Sequence, residues 1–350
     1  MRLYEFDTLP GQGSMGIFHT LAREGIEALC LVSPASPLAS VGYFQDASAE
    51  IDLAYCAENG VPVMRREVGG GATYLDANQV FYQVILHRDN PLATRNISEL
   101  YRTLSAPVIA TYREFGIETR FRPVNDIVTV EGERKIAGEG AGNIGECMVF
   151  VGGILIDFDY ETMAHILNVP AEKFRDKIYE TINENVTSIY RETGTRPSRS
   201  EVRGVLIEKF SPLLGKMEPA YYSDELHNKN DATILQMTRD AFLYKRTMKK
   251  PGHVTIRSGV EFISGMHKAR GGLLRTASVL KENVLEDVTI TGDFTLLPID
   301  GLSLIEEGLR GAERNRGEAG SRIERILTEE GLQLPGVSVE DMLLALKIEE

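Results

Sequence analysis

The sequence has few cysteines, no excess of positive charge and no clustered histidines. Its three cysteines, Cys30, Cys56 and Cys147, lie far apart and form no CxxC pair or metal-binding spacing, which is typical of a reduced, cytosolic protein rather than a disulfide-stapled secreted one. The formal net charge of −13 and the pI of about 5.1 argue against binding to nucleic acid or to an anionic membrane, because both require a basic surface. The six histidines are scattered and indicate no metal site.

Targeting and membrane-spanning patterns are also missing. The first residues, MRLYEFDTLPGQG, contain neither the basic region nor the apolar core of a signal peptide. The most apolar early run, residues 28–42, is interrupted by Pro34 and Pro37 and is too short to cross a bilayer. We therefore expect a cytoplasmic protein whose partners include neither nucleic acid nor membrane.

The 350 residues are 43% hydrophobic and 25% charged, which is ordinary for one to three globular domains. Periodicity and caps predict helices over residues 14–24, 48–59, 97–115, 160–168, 171–183, 198–214, 224–244, 301–312, 318–330 and 338–347. Strand patterns fall at residues 27–32, 39–44, 80–86, 152–159, 260–267 and 282–297, with a strand pair around a turn at 126–138. The elements lack a regular βαβ rhythm, which favours an α+β fold with a mixed or antiparallel sheet flanked by helices.

The basic stretch KRTMKKPGH, residues 245–253, interrupts the helical pattern with a Pro-Gly pair. We predict a domain boundary there, with one domain over residues 1–248 and a small C-terminal α/β domain over residues 249–350.

The stretch RREVGGGATYLD, residues 65–76, joins two arginines to three consecutive glycines. Bare backbone can approach a ligand closely, its N–H groups can face anionic oxygens, and arginine suits bidentate contact with phosphate. The pattern is neither the Walker loop nor the dinucleotide-binding fingerprint. An anion cradle and a glycine-rich hairpin turn with exposed arginines explain this stretch about equally well. On the strand, Arg65 and Arg66 alternate faces, so only one of them faces a ligand in the loop.

A second glycine-rich stretch follows in NDIVTVEGERKIAGEGAGNIG, residues 125–145. Lys135 precedes Gly138, Gly140, Gly142 and Gly145. A lysine beside a mobile segment suits a site that closes over a reacting phosphate, although most strand lysines are simply solvated. We expect residues 138–147 to be mobile, because glycines offer little packing.

Several stretches together resemble one known family. VGYFQ (41–45), RREVGGGATYLD (65–76), Asn125 with Asp126, KIAG (135–138) and EKFRDKIYETINENVTSI (172–189) resemble the lipoate-protein ligases of the biotin/lipoate ligase superfamily. This resemblance covers roughly residues 1–245. In the tail, GMHKARGGLLR (265–275) and VTITGDF (288–294) are similar to the accessory domain of those ligases.

The resemblance implies a mixed sheet related to the cores of class II aminoacyl-tRNA synthetases and biotin ligases. It implies that lipoate and Mg²⁺-ATP give lipoyl-AMP and pyrophosphate, and that a lysine of a lipoyl-domain acceptor protein then takes the lipoyl group.

The resemblance also implies roles for individual residues. Lys135 would be the catalytic residue that bridges the lipoate carboxylate and the α-phosphate, and Arg66 would contact the nucleotide phosphate. Asp126 would organise the loop or bind Mg²⁺, whereas Asp76 fits a turn carboxylate better. The ATP and lipoyl-adenylate site would be formed by Arg66, Gly69, Gly70, Gly71, Ala72, Thr73, Tyr74, Asn125, Asp126, Lys135 and Gly138. The basic set His267, Lys268, Arg270 and Arg275 would cover that site, dock an acidic acceptor or be a solvated turn.

The sequence departs from the family pattern after Lys135. Many relatives carry a basic GSAQRR-like segment and then His-His-Gly, whereas residues 138–155 here contain neither a basic residue nor a histidine. Three alternatives stay open: an ATP-independent octanoyl or lipoyl transferase, a biotin ligase and a non-catalytic lipoyl-domain-binding subunit. The transferase would need a nucleophilic cysteine, which FRPVND and YETINENVTS lack, and Glu146 would raise the pKa of Cys147. A non-catalytic subunit is disfavoured, because the chain retains Arg66, the glycine run and Lys135.

Overall fold

A computed structural model describes residues 1–94, 96–169, 171–248, 255–257 and 260–348. The strands are β1 (Arg2–Glu5), β2 (Ala28–Val32), β3 (Leu38–Val41), β4 (Val63–Arg65), β5 (Thr73–Leu75), β6 (Gln79–His87), β7 (Thr119–Arg122), β8 (Asp126–Thr129), β9 (Lys135–Ile144), β10 (Cys147–Leu155), β11 (Glu218–Pro219), β12 (Thr255–Arg257), β13 (Val260–Ala269), β14 (Gly272–Lys281) and β15 (Val284–Gly292).

The helices are α1 (Gly11–Arg23), α2 (Ala47–Glu50), α3 (Leu53–Glu58), α4 (Ile97–Glu114), α5 (Tyr160–Ile166), α6 (Arg175–Asn185), α7 (Ile189–Thr193), α8 (Arg199–Leu214), α9 (Asp224–Thr238), α10 (Asp240–Leu243), α11 (Gly301–Leu309), α12 (Arg316–Glu329) and α13 (Val339–Ala345). A short 3-10 turn, Glu172–Phe174, precedes α6. None of the described helices is both long and apolar enough to cross a membrane.

The main sheet is mixed, in the order β11-β1-β2-β6-β10-β9-β8-β7. Strand β1 runs parallel to β11 and β2, and the other described pairs of this sheet are antiparallel. Strand β6, QVFYQVILH, is buried along almost its whole length because helices cover both faces of the sheet. A smaller sheet, β4-β3-β5, carries the arginine-glycine stretch. The predicted α+β fold with a mixed sheet is confirmed.

Two hydrophobic layers sandwich the main sheet. One face packs against α4 and α8 through residues such as Leu104, Phe150 and Phe210. The other face packs against α1 and α9 through residues such as Phe18 and Met237. The burial of these apolar side chains is the main source of stability, and it fixes α1 over the sheet where the pocket described below opens.

The C-terminal residues build a separate antiparallel sheet, β12-β13-β14-β15, with α11, α12 and α13 packed against it. We call this part the C-terminal sheet unit. Its core also contains Tyr43 and Phe44, and the ring of Phe44 stacks on Phe294 with centroids 5.0 Å apart. A small C-terminal unit was expected, and the structure confirms it. The predicted boundary between residues 248 and 249 falls where the described residues break off and stays a prediction.

Most predicted elements match, and the differences have physical causes. Strand β14 was not predicted, although β13 and β15 flank it. The strand predicted at 152–159 is instead β10, which begins at Cys147 and ends at Leu155. Residues beyond it lead to Asp159, whose side chain caps α5 by accepting from the Thr162 N–H at 2.9 Å.

The prediction that residues 138–147 form a mobile loop was wrong. Most of this stretch is strand β9, which pairs with β10 along six residues. Its glycines make room for the Glu67 backbone and the Val68 side chain: a Cβ on Gly142 would lie 2.8 Å from the Glu67 carbonyl oxygen, and one on Gly140 would lie 3.1 Å from Val68 Cγ2. The glycines of the second stretch therefore let the first stretch pack onto the sheet, and this contact holds both in place.

We predict that Gly142→Ala lowers the free energy of unfolding by about 1–3 kcal/mol, because the new methyl group would overlap the Glu67 carbonyl. The matched control is Gly204→Ala in α8, where an added Cβ meets nothing within 4 Å. That change is expected to stabilise the protein by about 0.5–1 kcal/mol through helix propensity. Urea unfolding of both variants tests the pair, and equal midpoints would contradict the packing role of Gly142.

Candidate active site

A cavity of about 250 Å³ opens between the main sheet, α1, α5 and the arginine-glycine stretch. Its wall is largely apolar, and it includes Met15, Phe18, Leu75, Phe81, Val151, Leu155, Phe158, Met163 and Val186. Nine of the predicted site residues also line it, namely Arg66, Gly70, Gly71, Ala72, Thr73, Tyr74, Asn125, Lys135 and Gly138. A pocket with an apolar wall and a few convergent cations and amides suits a molecule with an apolar chain and an anionic head.

Two of the predicted site residues, Gly69 and Asp126, are not among the residues that line the cavity. Gly69 instead faces the C-terminal sheet unit, where an added Cβ would lie 2.7 Å from the Phe294 carbonyl oxygen and 2.9 Å from Thr295 Cα. Gly70 has φ +93°, in the region that favours glycine, and lies in the cavity wall. The glycine run is therefore shared between the cavity and the packing of the C-terminal unit.

The two arginines have different environments, as their alternation on the strand predicted. Arg65 is fully buried outside the cavity and donates to five backbone carbonyls. These belong to Gly42, Tyr43, Gln45, Phe242 and Leu243. Arg65 thus ties the end of α10 to the loop that carries Phe44, and it stabilises the fold.

Arg66 lines the cavity, and its side chain holds the glycine run in a tight turn through hydrogen bonds. Its Nη2 donates to the carbonyl oxygens of Gly69 at 3.0 Å and Gly71 at 2.7 Å, and Nη1 makes a longer bond to Ser40 O at 3.3 Å. Burial lowers the pKa of Arg66 to about 10, so the guanidinium stays charged at neutral pH. The charge is held beside the cavity with no carboxylate among these hydrogen-bond partners.

Lys135 is the second cation of the cavity, and it is paired with a carboxylate. Its Nζ lies 2.7 Å from Asp126 Oδ1, while Arg122 Nη2 lies 2.9 Å from Asp126 Oδ2. Burial raises the pKa of Asp126, but Lys135 and Arg122 outweigh this and hold it below its ordinary value. A Cβ on Gly138 would lie 2.8 Å from Lys135 Nζ, so the glycine leaves the lysine room to lie over β9.

The site does not fit Mg²⁺ through Asp126. Each of its carboxylate oxygens already has a cationic partner, and a metal ion there would face Lys135 and Arg122. Among the described residues, no group of three His, Cys, Asp or Glu side chains gathers in a way that could hold a metal. Asp76 accepts from the Asn78 N–H at 2.8 Å, which confirms it as a turn carboxylate.

Glu139 is a cavity residue that sequence reasoning missed. Its carboxyl group is buried and accepts from Ser105 Oγ at 2.5 Å and Tyr82 OH at 3.1 Å. Burial raises its pKa to about 8, against the hydrogen bonds from Ser105 and Tyr82. Its backbone also anchors Asn125, whose Nδ2 donates to Glu139 O at 2.7 Å. A single glutamate among glycines gave no signal of this in the sequence.

The three cysteines all lie away from the cavity lining. All are buried, and burial raises the pKa of each thiol, to about 11 for Cys56. For Cys147, burial acts first, then Glu27, and only then the neighbouring Glu146. Cys147 is the first residue of β10.

The basic set of the tail divides into two groups. His267 Nε2 lies 2.8 Å from Asp341 Oδ1, and Arg275 pairs with Glu50 of the main part. Lys268 and Arg270 are exposed. The first two residues therefore contribute to the packing of the C-terminal sheet unit, and the last two have charges that face solvent.

A sequence profile of the lipoyl protein ligase A/B catalytic domain matches residues 16–211. The chain is similar to lipoate-protein ligase A subunit 1 of Thermoplasma acidophilum, with 32% identity over 182 residues, which are 50% of this chain and 67% of that protein. It is also similar to the octanoyltransferase LipM of Kyrpidia tusciae, with 26% identity over 232 residues, which are 60% of this chain and 84% of that protein. The relatives thus include both ligases and transferases.

Solved structures agree on the fold. A chain from the structure of the bi-partite lipoate protein ligase of T. acidophilum and its E2 lipoyl domain matches with a TM-score of 0.61 and 25% identity, covering 71% of this chain and 98% of that one. P. falciparum LipL1 in complex with lipoate matches with a TM-score of 0.68 and 16% identity over 95% of each chain. The second similarity shows a shared fold that extends over the C-terminal sheet unit.

We predict that Glu139→Gln stabilises the protein increasingly as pH rises. The folded-state pKa of Glu139 lies above its ordinary value, so the folded state holds a proton that the unfolded state releases. Wild-type stability therefore falls between about pH 4.5 and pH 8, by up to about 1.4 kcal/mol per pH unit. The neutral amide removes this loss.

Urea unfolding at pH 5, 7 and 8 measures the effect, with the exposed Glu131→Gln as the control for a lost charge. The difference in free energy of unfolding between Glu139→Gln and wild type is expected to grow by about a few kcal/mol from pH 5 to pH 8. A difference that is constant with pH would show that Glu139 is ionised in the folded protein.

Proposed function

Because the chain belongs to the lipoyl protein ligase A/B catalytic domain family, we propose that it is an ATP-dependent lipoate-protein ligase. It activates lipoate to lipoyl-AMP and transfers the lipoyl group to a lysine of a lipoyl-domain acceptor protein. The observation that carries this proposal is a cavity that joins an apolar wall to Arg66, Lys135 and bare glycine backbone, with no cysteine in its lining.

The cavity suits the two reactants of the first step. The apolar wall formed by residues such as Met15, Phe81 and Val151 accommodates the acyl chain, and the cations lie at the end where the carboxylate and the phosphate meet. A lipoate oxygen attacks the α-phosphorus of ATP, the bond from that phosphorus to the bridging oxygen breaks, and pyrophosphate leaves. Lys135 aligns the two anions and offsets their repulsion in the transition state.

The second step forms the amide. The uncharged amine of the acceptor lysine attacks the acyl carbonyl of lipoyl-AMP, releases a proton, and AMP departs. The T. acidophilum ligase is described together with an E2 lipoyl domain, which supports a lipoyl domain as the acceptor. That ligase is also bi-partite, and we propose that residues 249–350 are the accessory domain, fused here to the catalytic domain of residues 1–248.

Within the site, we propose that Arg66, Gly70, Gly71, Ala72, Thr73 and Tyr74 line the nucleotide and adenylate, together with Asn125, Lys135 and Gly138. Gly69 and Asp126 contribute indirectly. Gly69 lets the backbone of Phe294 pack against the glycine run, and Asp126 positions Lys135 through an ion pair of 2.7 Å. No step is assigned to Mg²⁺ bound by the protein, because the partners of Asp126 do not fit a metal ion.

The second candidate is an ATP-independent octanoyl or lipoyl transferase, which the similarity to LipM favours. That mechanism needs a thiolate beside the acyl chain. The thiols of Cys30, Cys56 and Cys147 are buried away from the cavity lining, and burial raises their pKa values. This supports the ligase over the transferase. A non-catalytic binding subunit would have no use for the cations of the cavity.

Pyrophosphate exchange into ATP tests the proposal. Lipoate is expected to stimulate exchange by the wild-type protein, and octanoyl carrier protein without ATP is expected to give no acyl transfer. If lipoate leaves exchange unchanged while the carrier protein donates directly, the chain is a transferase.

We predict that Lys135→Ala reduces lipoate-dependent exchange about 10²–10³-fold, because a cation aimed at the developing charge is lost. Lys216→Ala, at an exposed lysine that pairs with Glu218, is the matched control and is expected to behave as wild type. Exchange rates are measured together with the unfolding midpoints of both variants, so that a loss of catalysis is distinguished from a loss of stability. Near-normal exchange by a folded Lys135→Ala protein would remove Lys135 from the mechanism.

A further inference from the structure

The cations that line the cavity already have partners within the protein. Arg66 donates to the carbonyls of Gly69 and Gly71, and Lys135 pairs with Asp126. A nucleotide triphosphate carries several negative charges, and residues 138–155 contain no lysine or arginine that could contact them. A further cation near the glycine run would therefore strengthen the binding of a triphosphate.

The turn between β13 and β14 lies against the mouth of the cavity. On one side, Gly271 N donates to Gly336 O at 2.6 Å, and a Cβ on Gly336 would lie 2.9 Å from Val124 Cγ2. Val124 precedes Asn125, which lines the cavity. The turn is thereby packed beside one rim of the pocket.

Asp293 connects the turn to the opposite rim. Its carboxylate accepts from the Leu273 N–H at the start of β14. A Cβ on Gly71 would lie 3.8 Å from Asp293 Cβ and 4.0 Å from Asp293 Oδ2. Since Gly71 lines the cavity, residues 271–273 lie between the two rims.

Lys268, next to this turn, is brought beside the glycine run by its contact with Asp293. Its Nζ lies 3.8 Å from Asp293 Oδ2, and its side chain is 67% exposed. The ion pair is long and solvated, so it holds the ammonium only weakly. His267 and Arg275, its neighbours in the basic set, are instead engaged by Asp341 and Glu50.

We infer that Lys268 is a phosphate-binding residue, which the C-terminal sheet unit supplies to the triphosphate of ATP at the mouth of the cavity. The inference rests on the proposed function. In it, the C-terminal sheet unit supplies the positive charge that residues 138–155 lack. When ATP is bound, the ammonium leaves the long contact with Asp293 for a phosphate oxygen, which accepts a charge-assisted hydrogen bond.

The test compares Lys268→Gln with Lys281→Gln in lipoate-dependent pyrophosphate exchange. Lys281 is the matched control, because it lies at the far end of β14, is 57% exposed and has its own carboxylate partner, Glu286, at 3.8 Å. Lys268→Gln is expected to raise the KM for ATP by about tenfold or more with the KM for lipoate unchanged. Lys268→Arg is expected to keep most of the affinity, and Lys281→Gln to stay within about twofold of wild type.

Transfer from synthetic lipoyl-AMP to a lipoyl domain provides the second measurement, since that step involves no triphosphate. Lys268→Gln is expected to carry it out at the wild-type rate. The inference is overturned if Lys268→Gln leaves the KM for ATP unchanged, if Lys281→Gln raises it equally, or if transfer from lipoyl-AMP falls in parallel. A wild-type protein without lipoate-dependent exchange would instead overturn the proposed function, and with it this inference.

Discussion

The close approach of the glycine run at 69–71 to residues 293–295 is the constraint on which the rest of the structure depends. An added Cβ on Gly69 would lie 2.7 Å from Phe294 O, so any larger residue would push the C-terminal sheet unit away. The same run curls around Arg66, whose guanidinium bonds Gly69 O and Gly71 O. A single backbone segment thus forms a wall of the cavity and also the contact surface for the C-terminal sheet unit. A shift of the C-terminal sheet unit therefore shifts the cavity wall, and the reverse also holds.

Buried charge strengthens this junction. Arg65 donates to the carbonyls of Gly42 and Leu243, and Arg246 pairs with Glu306 at 2.8 Å with both side chains only 13% exposed. Removing one member of such a set leaves an uncompensated charge in a dry environment, which is strongly unfavourable. The contacts therefore specify one arrangement of the two parts, in addition to the stacking of Phe44 on Phe294.

The sequence was sufficient for the fold class, because caps and periodicity are local signals, and nine of the eleven site residues implied by the family resemblance line the cavity. It was insufficient where the cause is a distant contact. Gly140 and Gly142 were expected in a mobile loop, yet they lie in β9, where the Val68 side chain and the Glu67 carbonyl from another part of the chain pack onto them. Glu139 was missed for the same reason, since its partners Ser105 and Tyr82 lie on α4 and β6. A single sequence does not show which far segments meet.

The partners of the charged groups explain how so cationic a pocket is stable before a nucleotide enters. Arg66 is satisfied by carbonyls and Lys135 by Asp126, so neither is left as an isolated buried charge. Glu139, an acid that lines the cavity, has a pKa raised to about 8 by burial, and at neutral pH it adds no negative charge to the cavity. A phosphate that enters therefore competes with backbone carbonyls for Arg66 and with the Asp126 carboxylate for Lys135. The same reasoning favours an exposed lysine such as Lys268 as the further cation, because a solvated ammonium requires no buried partner before ATP binds.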